Sequence, residues 1–383
     1  MIIQTTIGEF CPFEYGKGLS VNKRLSGNIP VYGSNGIVGV HNEPYVPTHG
    51  IIIGRKGSVG ALQISDRPFW PIDTSFYVVK DDYFETVYTF YLLKSLGLDG
   101  MNSDSAVPGL NRNNAHALKV NILGTSEERK ATGRLIARFD DKIENNRQMN
   151  QTLEEMARAI FKSWFVDFDP VHAKAAGNAP AHMDAETAAL FPNSFGDDGL
   201  PVSWSVGKIE DIVDRQRAGK LFSKKTVNEE GKVPVLDQSA DDIIGYHNEH
   251  PSVLASPTDR VITFANHTCV LRLIDFNFSA IQNVIPFKGK KYPTEWVLFA
   301  SHNKQKFEEY KGHWPTFMVQ PVIMPDDGTS SAFAKWIEPM VSKISANISQ
   351  NKTLAELRDT LLPKLMSGEI SVKDAEGEVE AAV

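Results

Sequence analysis

The sequence predicts an α+β protein built by internal duplication: two tandem α/β domains, each followed by a long helix, with the two helices packed as an antiparallel coiled coil. Three observations predict this architecture. Segments recur in the same order in both halves, short apolar runs alternate with turn residues, and a stretch with heptad-like apolar spacing closes each half. A chain of 383 residues also exceeds what one hydrophobic core usually organises.

The duplication rests on three matched blocks. They keep their order and nearly constant separations, which chance rarely produces. The aligned blocks are YGKGLS (15–20) with AGKLFS (218–223), NIPVYGSNGIVGVHNEP (28–44) with KVPVLDQSADDIIGYHNEHP (232–251), and NQTLEEMARAIFKSWF (150–165) with NKTLAELRDTLLPKLM (351–366). The chain is therefore predicted to be two copies of one unit, a mixed domain followed by a helix.

Each copy opens with a compact α/β domain, which we place at residues 1–125 and 201–331. Short runs of Val, Ile, Phe and Tyr bounded by Gly, Pro and Asn predict strands in both domains. Apolar residues at helical spacing predict helices at 83–97 and 294–310.

A long helix is predicted after each domain, at 126–168 and at 332–371. Ser126 is a candidate N-cap, and apolar positions then recur with the alternating steps of a coiled-coil seam. Asn146 inside that seam costs stability but can determine register. The alternative is that each helix covers only its own domain. The predicted seam comprises Leu135, Phe139, Asn146, Met149, Leu153 and Met156 in the first helix, and Ile337, Val341, Ile344, Ile348, Leu354 and Leu357 in the second.

The remaining segments are predicted to be irregular. Residues 169–200 are rich in Ala, Gly, Pro and Asp, as expected of a long surface linker, and the tail at 372–383 is predicted to be disordered. No signal peptide or membrane span is expected, because no apolar run is long enough. We therefore expect a cytoplasmic protein without membrane contact, and the presence of only two cysteines fits a reducing compartment.

Motifs for catalysis and metal binding are absent from the sequence. It contains no G-x-x-x-x-G-K-[ST], G-x-G-x-x-G or G-x-S-x-G, no Cys-x-x-Cys or His-x-x-x-His, and no Pro-Pro. We therefore expect neither catalytic residues nor metal ligands. The net charge of −7 argues mildly against a surface coated for nucleic acid, although a nearly neutral domain can still present one basic face.

Basic, glycine-rich loops are the candidate DNA-contacting segments. In GRKGSVG (54–60), backbone N–H groups and two cations can converge on a phosphate, although a structural hairpin explains the loop almost as well. RQRAGKLFSKK (215–225) falls where the first copy has YGKGLSVNKR (15–24), and NRNNAH (111–116) either contacts base edges or caps a turn. The predicted DNA-binding residues are Lys17, Lys23, Arg24, Arg55, Lys56, Ser58, Asn111, Arg112 and Asn113 in the first domain, and Arg215, Arg217, Lys220, Lys224, Lys225, Lys288, Lys290 and Lys291 in the second.

The triplet His-Asn-Glu occurs twice, beginning at His41 and at His247. Two copies could suggest the halves of one metal or acid–base site. Because they occupy matching places in the two copies, we expect them instead to lie in turns, where their Asn and Glu side chains satisfy local backbone groups. A DNA-facing role is the alternative.

The chain resembles the DNA-specificity (S) subunit of type I restriction-modification systems, which has two target recognition domains. The resemblance covers 10–170 and 205–371, and the helical block IFKSWFVDFDPV is its most specific part. It is carried by IPVYGSNGIVG, IIIGRKGSVG, VPGLNRNNAHALKV, LIARFDDKIENNRQMNQTLEEMARAIFKSWFVDFDP and LAELRDTLLPKLMSGEI. The second domain departs from the pattern, because ANHTCVLRL (265–273) replaces the Gly-basic-Gly loop.

The resemblance implies a non-catalytic subunit that binds double-stranded DNA. Each domain would recognise one half of a bipartite, asymmetric target, while the paired helices hold the domains apart and dock two methyltransferase (modification) subunits. The methyltransferase partner would bind S-adenosylmethionine, the restriction (endonuclease/translocase) subunits would use ATP and Mg, and this chain would bind no cofactor. The alternatives are a DNA-modifying or DNA-cleaving enzyme with an unrecognised site, and a protein-binding scaffold.

Overall fold

The computed structural model describes residues 2–101, 109–238, 243–309 and 311–382, with side chains as far as residue 379. The chain forms two compact units, of which unit 1 comprises 1–146 and 349–383 and unit 2 comprises 147–348. The sequence predicts a division into a domain and a helix for each copy. The compact units differ from that division, because each contains one α/β domain together with part of both long helices.

Unit 1 begins with the first α/β domain. Its strands are β1 (Ile2–Thr6), β2 (Glu14–Tyr15), β3 (Ile29–Gly33), β4 (Gly36–His41), β5 (Gly50–Gly54), β6 (Leu62–Ser65), β7 (Trp70–Pro71), β8 (Ser75–Val78) and β9 (Lys119–Leu123). Its helices are α1 (Ile7–Phe10), α2 (Tyr83–Lys94) and α3 (Arg112–His116), followed by α4 (Ser126–Phe165), which continues into unit 2.

An antiparallel sheet with the order β2-β8-β5-β6 organises unit 1. Strand β5 is buried along its whole length, which explains its uninterrupted apolar sequence GIIIG. Ile51 and Ile53 pack with Leu92 and Leu93 of α2, whose N-terminus is capped by the side chain of Asp82. A second sheet has the order β4-β3-β7, with β3 antiparallel to β4 and parallel to β7, and β1 pairs with β9.

Unit 2 contains the second α/β domain. Its strands are β10 (Ser205–Lys208), β11 (Val213–Arg215), β12 (Leu221–Phe222), β13 (Val233–Leu236), β14 (Ile243–His247), β15 (Val261–Ala265), β16 (Leu271–Ile274), β17 (Ser279–Ile281), β18 (Val284–Gly289) and β19 (Pro321–Met324). Its helices are α5 (Asp169–Ala175), α6 (Ala185–Leu190), α7 (Ile209–Ile212), α8 (Thr294–Ser301) and α9 (Trp314–Met318). The chain closes with α10 (Asp327–Met366), which passes back into unit 1, and α11 (Val372–Ala382).

The sheets of unit 2 repeat those of unit 1. The order β11-β18-β15-β16 matches β2-β8-β5-β6, the pair β10-β19 matches β1-β9, and β17-β13-β14 matches β7-β3-β4 with one extra strand, β12. The hydrophobic core lies between the sheet and the helices, where Phe264 and Phe287 pack in one cluster with Trp296 of α8 and Phe333 of α10. The predicted internal duplication is therefore confirmed.

The two long helices, each of 40 residues, pack against each other in the antiparallel sense, as predicted. In unit 1, Asn146 Nδ2 donates to Asn351 Oδ1 at 2.9 Å, and Arg358 Nη1 donates to Asp140 Oδ1 at 2.7 Å. In unit 2, Asn347 Nδ2 donates to Asn150 Oδ1 at 2.7 Å. In both units residue numbers rise along one helix as they fall along the other.

In α4, burial agrees with the predicted seam at four positions and departs from it at two. Leu135, Phe139 and Asn146 are buried and Leu153 is half-buried, but Met149 and Met156 are 43% and 47% exposed. In place of each methionine, the next residue along the chain lies in the contact between the helices. Asn150 is half-buried through its amide pairing, and Ala157, only 2% exposed, is small enough to let the helices approach.

The seam of α10 shows the same kind of displacement. Ile337, Val341 and Leu354 are buried, and Ile344 and Leu357 are half-buried, as the heptad pattern requires. Ile348, predicted in the seam, is 59% exposed, and Asn347 is buried in its place. The apolar spacing predicts Ile348 in the seam. The packed helices instead bury Asn347, which pairs with Asn150.

The predicted surface linker and disordered tail are both wrong. Residues 169–200 contain α5 and α6, and Phe191 is buried beside the Trp164 ring at a centroid distance of 5.1 Å. The tail forms α11, with Ala375 fully buried among leucines of unit 1. Both segments carry isolated apolar residues that a neighbouring surface can cover, which composition alone does not reveal. None of the helices in the described ranges combines the length and apolar character needed to cross a membrane.

Candidate nucleic-acid interface

The basic loop of unit 1 is a tight hairpin between β5 and β6. Gly60 N donates to Gly54 O at 2.8 Å, and Gly54 N donates to Ala61 O at 2.8 Å. Gly60 has a φ of 73°, and a Cβ atom there would lie 2.3 Å from the backbone nitrogen of Asp99. Only glycine fits that position, so the glycines of the loop serve the hairpin and hold the two basic residues at its start.

Backbone pairing brings two sequence-distant loops together in unit 1. Leu110 N donates to Arg55 O at 2.9 Å, and Lys56 and Gly109 form an isolated antiparallel bridge. The segment leading into α3 therefore runs beside the hairpin. This pairing places Arg112 on the same surface as Arg55.

Tyr15, Arg55 and Arg112 form a guanidinium–tyrosine cluster. The ring of Tyr15, which is 50% exposed, has the Arg55 Cζ atom 5.5 Å from its centroid and the Arg112 Cζ atom 5.3 Å from it. Arg55 Nε and Nη2 also donate to Asp73 O at 3.1 and 2.7 Å. These hydrogen bonds hold the Arg55 guanidinium group in place, which lowers the entropy cost of binding an anion or a base edge.

The asparagines of the 111–116 segment have different roles. Asn111 Oδ1 accepts hydrogen bonds from Asn113 N at 2.9 Å and Asn114 N at 3.2 Å, so it is the N-cap of α3. Asn111 therefore caps a turn, which is the alternative to a contact with base edges. The side chain of Asn113 lies on the exposed side of the helix.

The other predicted residues of unit 1 are not members of this cluster. Arg24 has a structural role, because its Nη1 donates to Val38 O at 2.5 Å and so holds the turn at Val21–Lys23 against β4. Lys17 Nζ lies 5.8 Å from the centroid of the Trp70 ring. Lys23 is exposed at the end of its turn, and Ser58 is half-buried within the hairpin.

Unit 2 has an open groove of about 460 Å³ beside β11. Arg215, Arg217 and Lys288 contribute its cations. Lys288 Nζ is paired with Asp259 Oδ1 at 2.7 Å, and the Arg215 Cζ atom lies 5.8 Å from the centroid of the Trp314 ring. The groove is lined by Asp214, Arg215, Gln216, Arg217, Ser252, Val253, Leu254, Asp259 and Lys288.

The remaining predicted lysines of unit 2 lie on turns. Lys220 Nζ pairs with Glu249 Oε1 at 2.5 Å, so its charge is partly neutralised. Lys224 and Lys225 are exposed in the turn that runs from Ser223 to Thr226. Lys290 and Lys291 are exposed in the turn after β18.

The loop after β15 in unit 2 occupies the place of the Arg55 hairpin but uses different chemistry. Asn266 Oδ1 accepts from Trp314 N at 2.8 Å, and His267 Nδ1 lies 2.8 Å from Lys311 O. Both side chains bond to the backbone. The contacts of the first hairpin therefore have no direct equivalent at this position.

Both histidines of the repeated triplet accept hydrogen bonds from backbone N–H groups, whereas the sequence predicts this role for the Asn and Glu side chains. His41 Nδ1 accepts from Leu25 N at 3.0 Å, and His247 Nδ1 accepts from Glu249 N at 3.0 Å. Burial lowers the pKa of His247, which keeps its ring neutral and able to accept. Within the described residues, no group of three or more His, Cys, Asp or Glu side chains could hold a metal ion.

The buried thiol of unit 1 has no nucleophilic character. Burial raises the pKa of Cys11 to about 12, so the thiolate form is scarce at neutral pH. Both cysteines are free.

Sequence reasoning missed the aromatic half of the candidate surface. Tyr15 and Trp314 lie under arginines, yet the predicted DNA-binding residues include no aromatic side chain. Tyr15 is the first residue of the basic block YGKGLSVNKR (15–24), and an aromatic residue within a basic loop was the available signal.

Comparison with known proteins gives a consistent set of relatives. Residues 4–155 match the family described as "Type I restriction modification DNA specificity domain". The "Type I restriction enzyme MjaIX specificity subunit" of Methanocaldococcus jannaschii is 22% identical over 361 residues, covering 86% of this chain and 79% of the relative. The "Type I restriction enzyme HindI specificity subunit" of Haemophilus influenzae is 25% identical over 334 residues, covering 69% and 71%.

The fold is also that of a solved structure. A type I restriction-modification S subunit from M. genitalium superposes with a TM-score of 0.61 at 15% identity, covering 96% of each chain. At this identity the similarity concerns the fold.

Proposed function

We propose that the chain is a specificity subunit of a type I restriction-modification system and that it recognises a bipartite, asymmetric target in double-stranded DNA. Specificity subunits are the non-catalytic members of these systems. The reactions on DNA would therefore be carried out by methyltransferase and restriction subunits, to which this chain supplies the target sequence.

One observation carries the proposal: the same sheet topology occurs twice with different residues on the candidate surface. Unit 1 presents Arg55 and Lys56 after β5, whereas unit 2 presents Asn266 and His267 after β15. Two domains with the same sheet topology but different surface residues would recognise two half-sites of different sequence. The target is accordingly asymmetric.

The paired helices would set the distance between half-sites. A helix of 40 residues is about 60 Å long, comparable to one to two turns of B-DNA at about 34 Å each. The helices would also dock two methyltransferase subunits, and the exposed apolar side chains of Met149, Met156 and Ile348 offer contact surface for them. S-adenosylmethionine would be bound by the methyltransferase partner, and ATP with Mg by the restriction partner.

Salt-dependent DNA binding tests the proposal directly. We expect the complex assembled with its methyltransferase subunits to bind its target with an affinity that falls steeply as salt rises. Replacing Arg55 and Lys56 together by Ala should weaken binding and reduce the log–log salt slope by about 1 for each phosphate that is no longer neutralised. The matched control replaces Lys130 and Arg138, which lie on α4, by Ala and should leave the slope unchanged.

Two outcomes would contradict this function. Absence of salt-sensitive DNA binding in the assembled complex would favour a protein-binding scaffold. Cleavage or methylation of DNA by the isolated chain would favour an enzyme with an unrecognised site.

A further inference from the structure

Resting on the proposed function, we propose that one arginine lying over an aromatic ring in each unit, Arg112 in unit 1 and Arg215 in unit 2, contacts the major-groove edge of a guanine in that unit's half-site. Each of these arginines would then determine one base of the target.

In unit 1 the guanidinium group belongs to the short helix and the ring to the strand. Arg112 is the first residue of α3, and its Cζ atom lies 5.3 Å from the centroid of Tyr15 in β2. The Tyr15 ring is half exposed, and Arg55 approaches the same ring. The pair therefore sits at the surface beside a second cation.

In unit 2 the two residue types are exchanged. Arg215 belongs to β11, the strand that corresponds to β2, and its Cζ atom lies 5.8 Å from the centroid of Trp314, the first residue of α9, which corresponds to α3. Arg215 also lines the open groove. The same contact is thus made between the same two elements in both units, although strand and helix have swapped the side chains that form it.

The arginine–aromatic contact is kept in both units although the two side chains have changed places. This indicates that the guanidinium group and the ring are themselves needed. A contact needed only for packing could be kept by two apolar side chains. A guanidinium group held against a ring keeps its planar fork oriented, and that fork matches the O6 and N7 acceptors of guanine bidentately. Phosphate contact needs only a cation, and Lys56 in unit 1 and Lys288 in unit 2 already lie in the neighbouring loops and strands.

The test begins with the target, mapped as methylated adenines in the genome of a host that carries the complete system. Binding of the assembled complex is then measured on DNA with each base of the two half-sites varied. Arg112→Lys should relax discrimination at one guanine of the first half-site by roughly 5- to 100-fold, and Arg215→Lys should do so at one guanine of the second. Each variant should leave the other half-site unchanged.

A base analogue separates guanine contact from a general loss of binding. Replacing that guanine by 7-deazaguanine removes the N7 acceptor, and it should weaken binding of the unchanged protein but not weaken the corresponding lysine variant further. Arg138→Lys in unit 1 and Arg158→Lys in unit 2 are matched controls, because both arginines are exposed partners in ion pairs. Tyr15→Phe retains the ring and should retain discrimination.

The outcomes distinguish the inference from the function on which it rests. Full discrimination by both lysine variants, or a uniform loss across all sequences as expected of a phosphate contact, would overturn the inference and leave the function standing. If the unaltered complex shows no sequence-selective DNA binding, the proposed function itself fails.

Discussion

At the scale of single residues, buried charge joins the second domain to its helix. Arg260, 4% exposed, precedes β15 and donates two hydrogen bonds to Glu338 of α10, at 2.6 and 2.8 Å. It also donates to Glu295 of α8 at 2.9 Å and to Ser342 at 3.2 Å. A buried arginine bonded through Nη1 and Nη2 to side chains of two helices holds the sheet of unit 2 in one orientation on α10.

Removal of this arginine should destabilise unit 2 strongly. Arg260→Ala leaves two carboxylates without their partner, and we expect a loss of about 3 kcal/mol in the free energy of unfolding. The figure is at the lower end of the range for buried pairs, because the Glu338 side chain is 45% exposed. Denaturant unfolding measures the loss, and Arg158→Ala, which breaks an exposed pair with Glu154, should cost under about 0.5 kcal/mol.

The same pair predicts a pH dependence. The hydrogen bonds from Arg260 lower the pKa of Glu338 below its usual value, so this pair stabilises the fold fully above the unfolded pKa of about 4.3. The stabilisation is lost as pH falls through the lowered folded pKa. The difference in unfolding free energy between the unaltered protein and Arg260→Ala should therefore narrow below about pH 4. A constant difference down to pH 2 would show that the pair contributes no charge-dependent stability.

At the scale of elements, helix pairing selects small and amide residues that a hydrophobicity pattern passes over. Ala157 is buried, while its neighbour Met156 is 47% exposed. Asn150 and Asn347 pair with each other, while Met149 and Ile348 lie at the surface. Once one amide is buried, a facing amide on the other helix is favoured over an apolar side chain, because an unpaired buried amide is costly.

Two substitutions on α4 distinguish the observed seam from the one predicted by sequence. Ala157→Leu adds bulk at a buried position and should cost about 1–3 kcal/mol by overpacking, whereas Met149→Gln at an exposed position should change stability by under about 0.5 kcal/mol. Thermal or denaturant unfolding measures both. A larger loss of stability for Met149→Gln than for Ala157→Leu would support the seam predicted from sequence, in which the methionines are buried.

At the scale of the whole molecule, the repeat extends to individual hydrogen bonds. Asn146 pairs with Asn351 in unit 1, and Asn347 pairs with Asn150 in unit 2. Under the duplication, Asn146 corresponds to Asn347 and Asn150 to Asn351, so the two pairs are equivalents of each other. Buried asparagines of this kind determine helix register, and here each half of the duplicated chain supplies one partner to each pair.

A matched deletion tests whether the helices set the spacing of the half-sites. Removing 147–153 from α4 together with the facing 344–350 from α10 takes one heptad from both helices and retains the Asn146–Asn351 pair. The helices shorten by about 10 Å, so the unspecified gap between half-sites should fall by about three base pairs. Methylation mapping measures the gap and both half-sites in one experiment.

The control deletes only one of the two segments, which shifts the helices out of register and should abolish assembly rather than shorten the gap. Altered half-sites with an unchanged gap would contradict the role of the helices as a spacer.

Much of the architecture could be predicted because it depends on repetition and periodicity, which are properties of the sequence itself. The matched blocks predicted the duplicated fold, and apolar spacing predicted the two long helices that pack together. The candidate surface was predicted less well. Arg24 was selected by its charge, but its guanidinium group holds a backbone carbonyl, and Tyr15 was missed although two guanidinium groups lie on its ring.

The sequence by itself determined the repeat, the two long helices and the absence of catalytic motifs, because local spacing dictates which residues share a strand or helix face. Tertiary structure decided which of two adjacent residues enters the helix seam, which loops meet, and which arginines lie over rings. Those outcomes depend on residues far apart in the chain, as when Gly109 bridges to Lys56 and brings Arg112 to Tyr15. Pairing of this kind follows from the packed fold, and no local pattern encodes it.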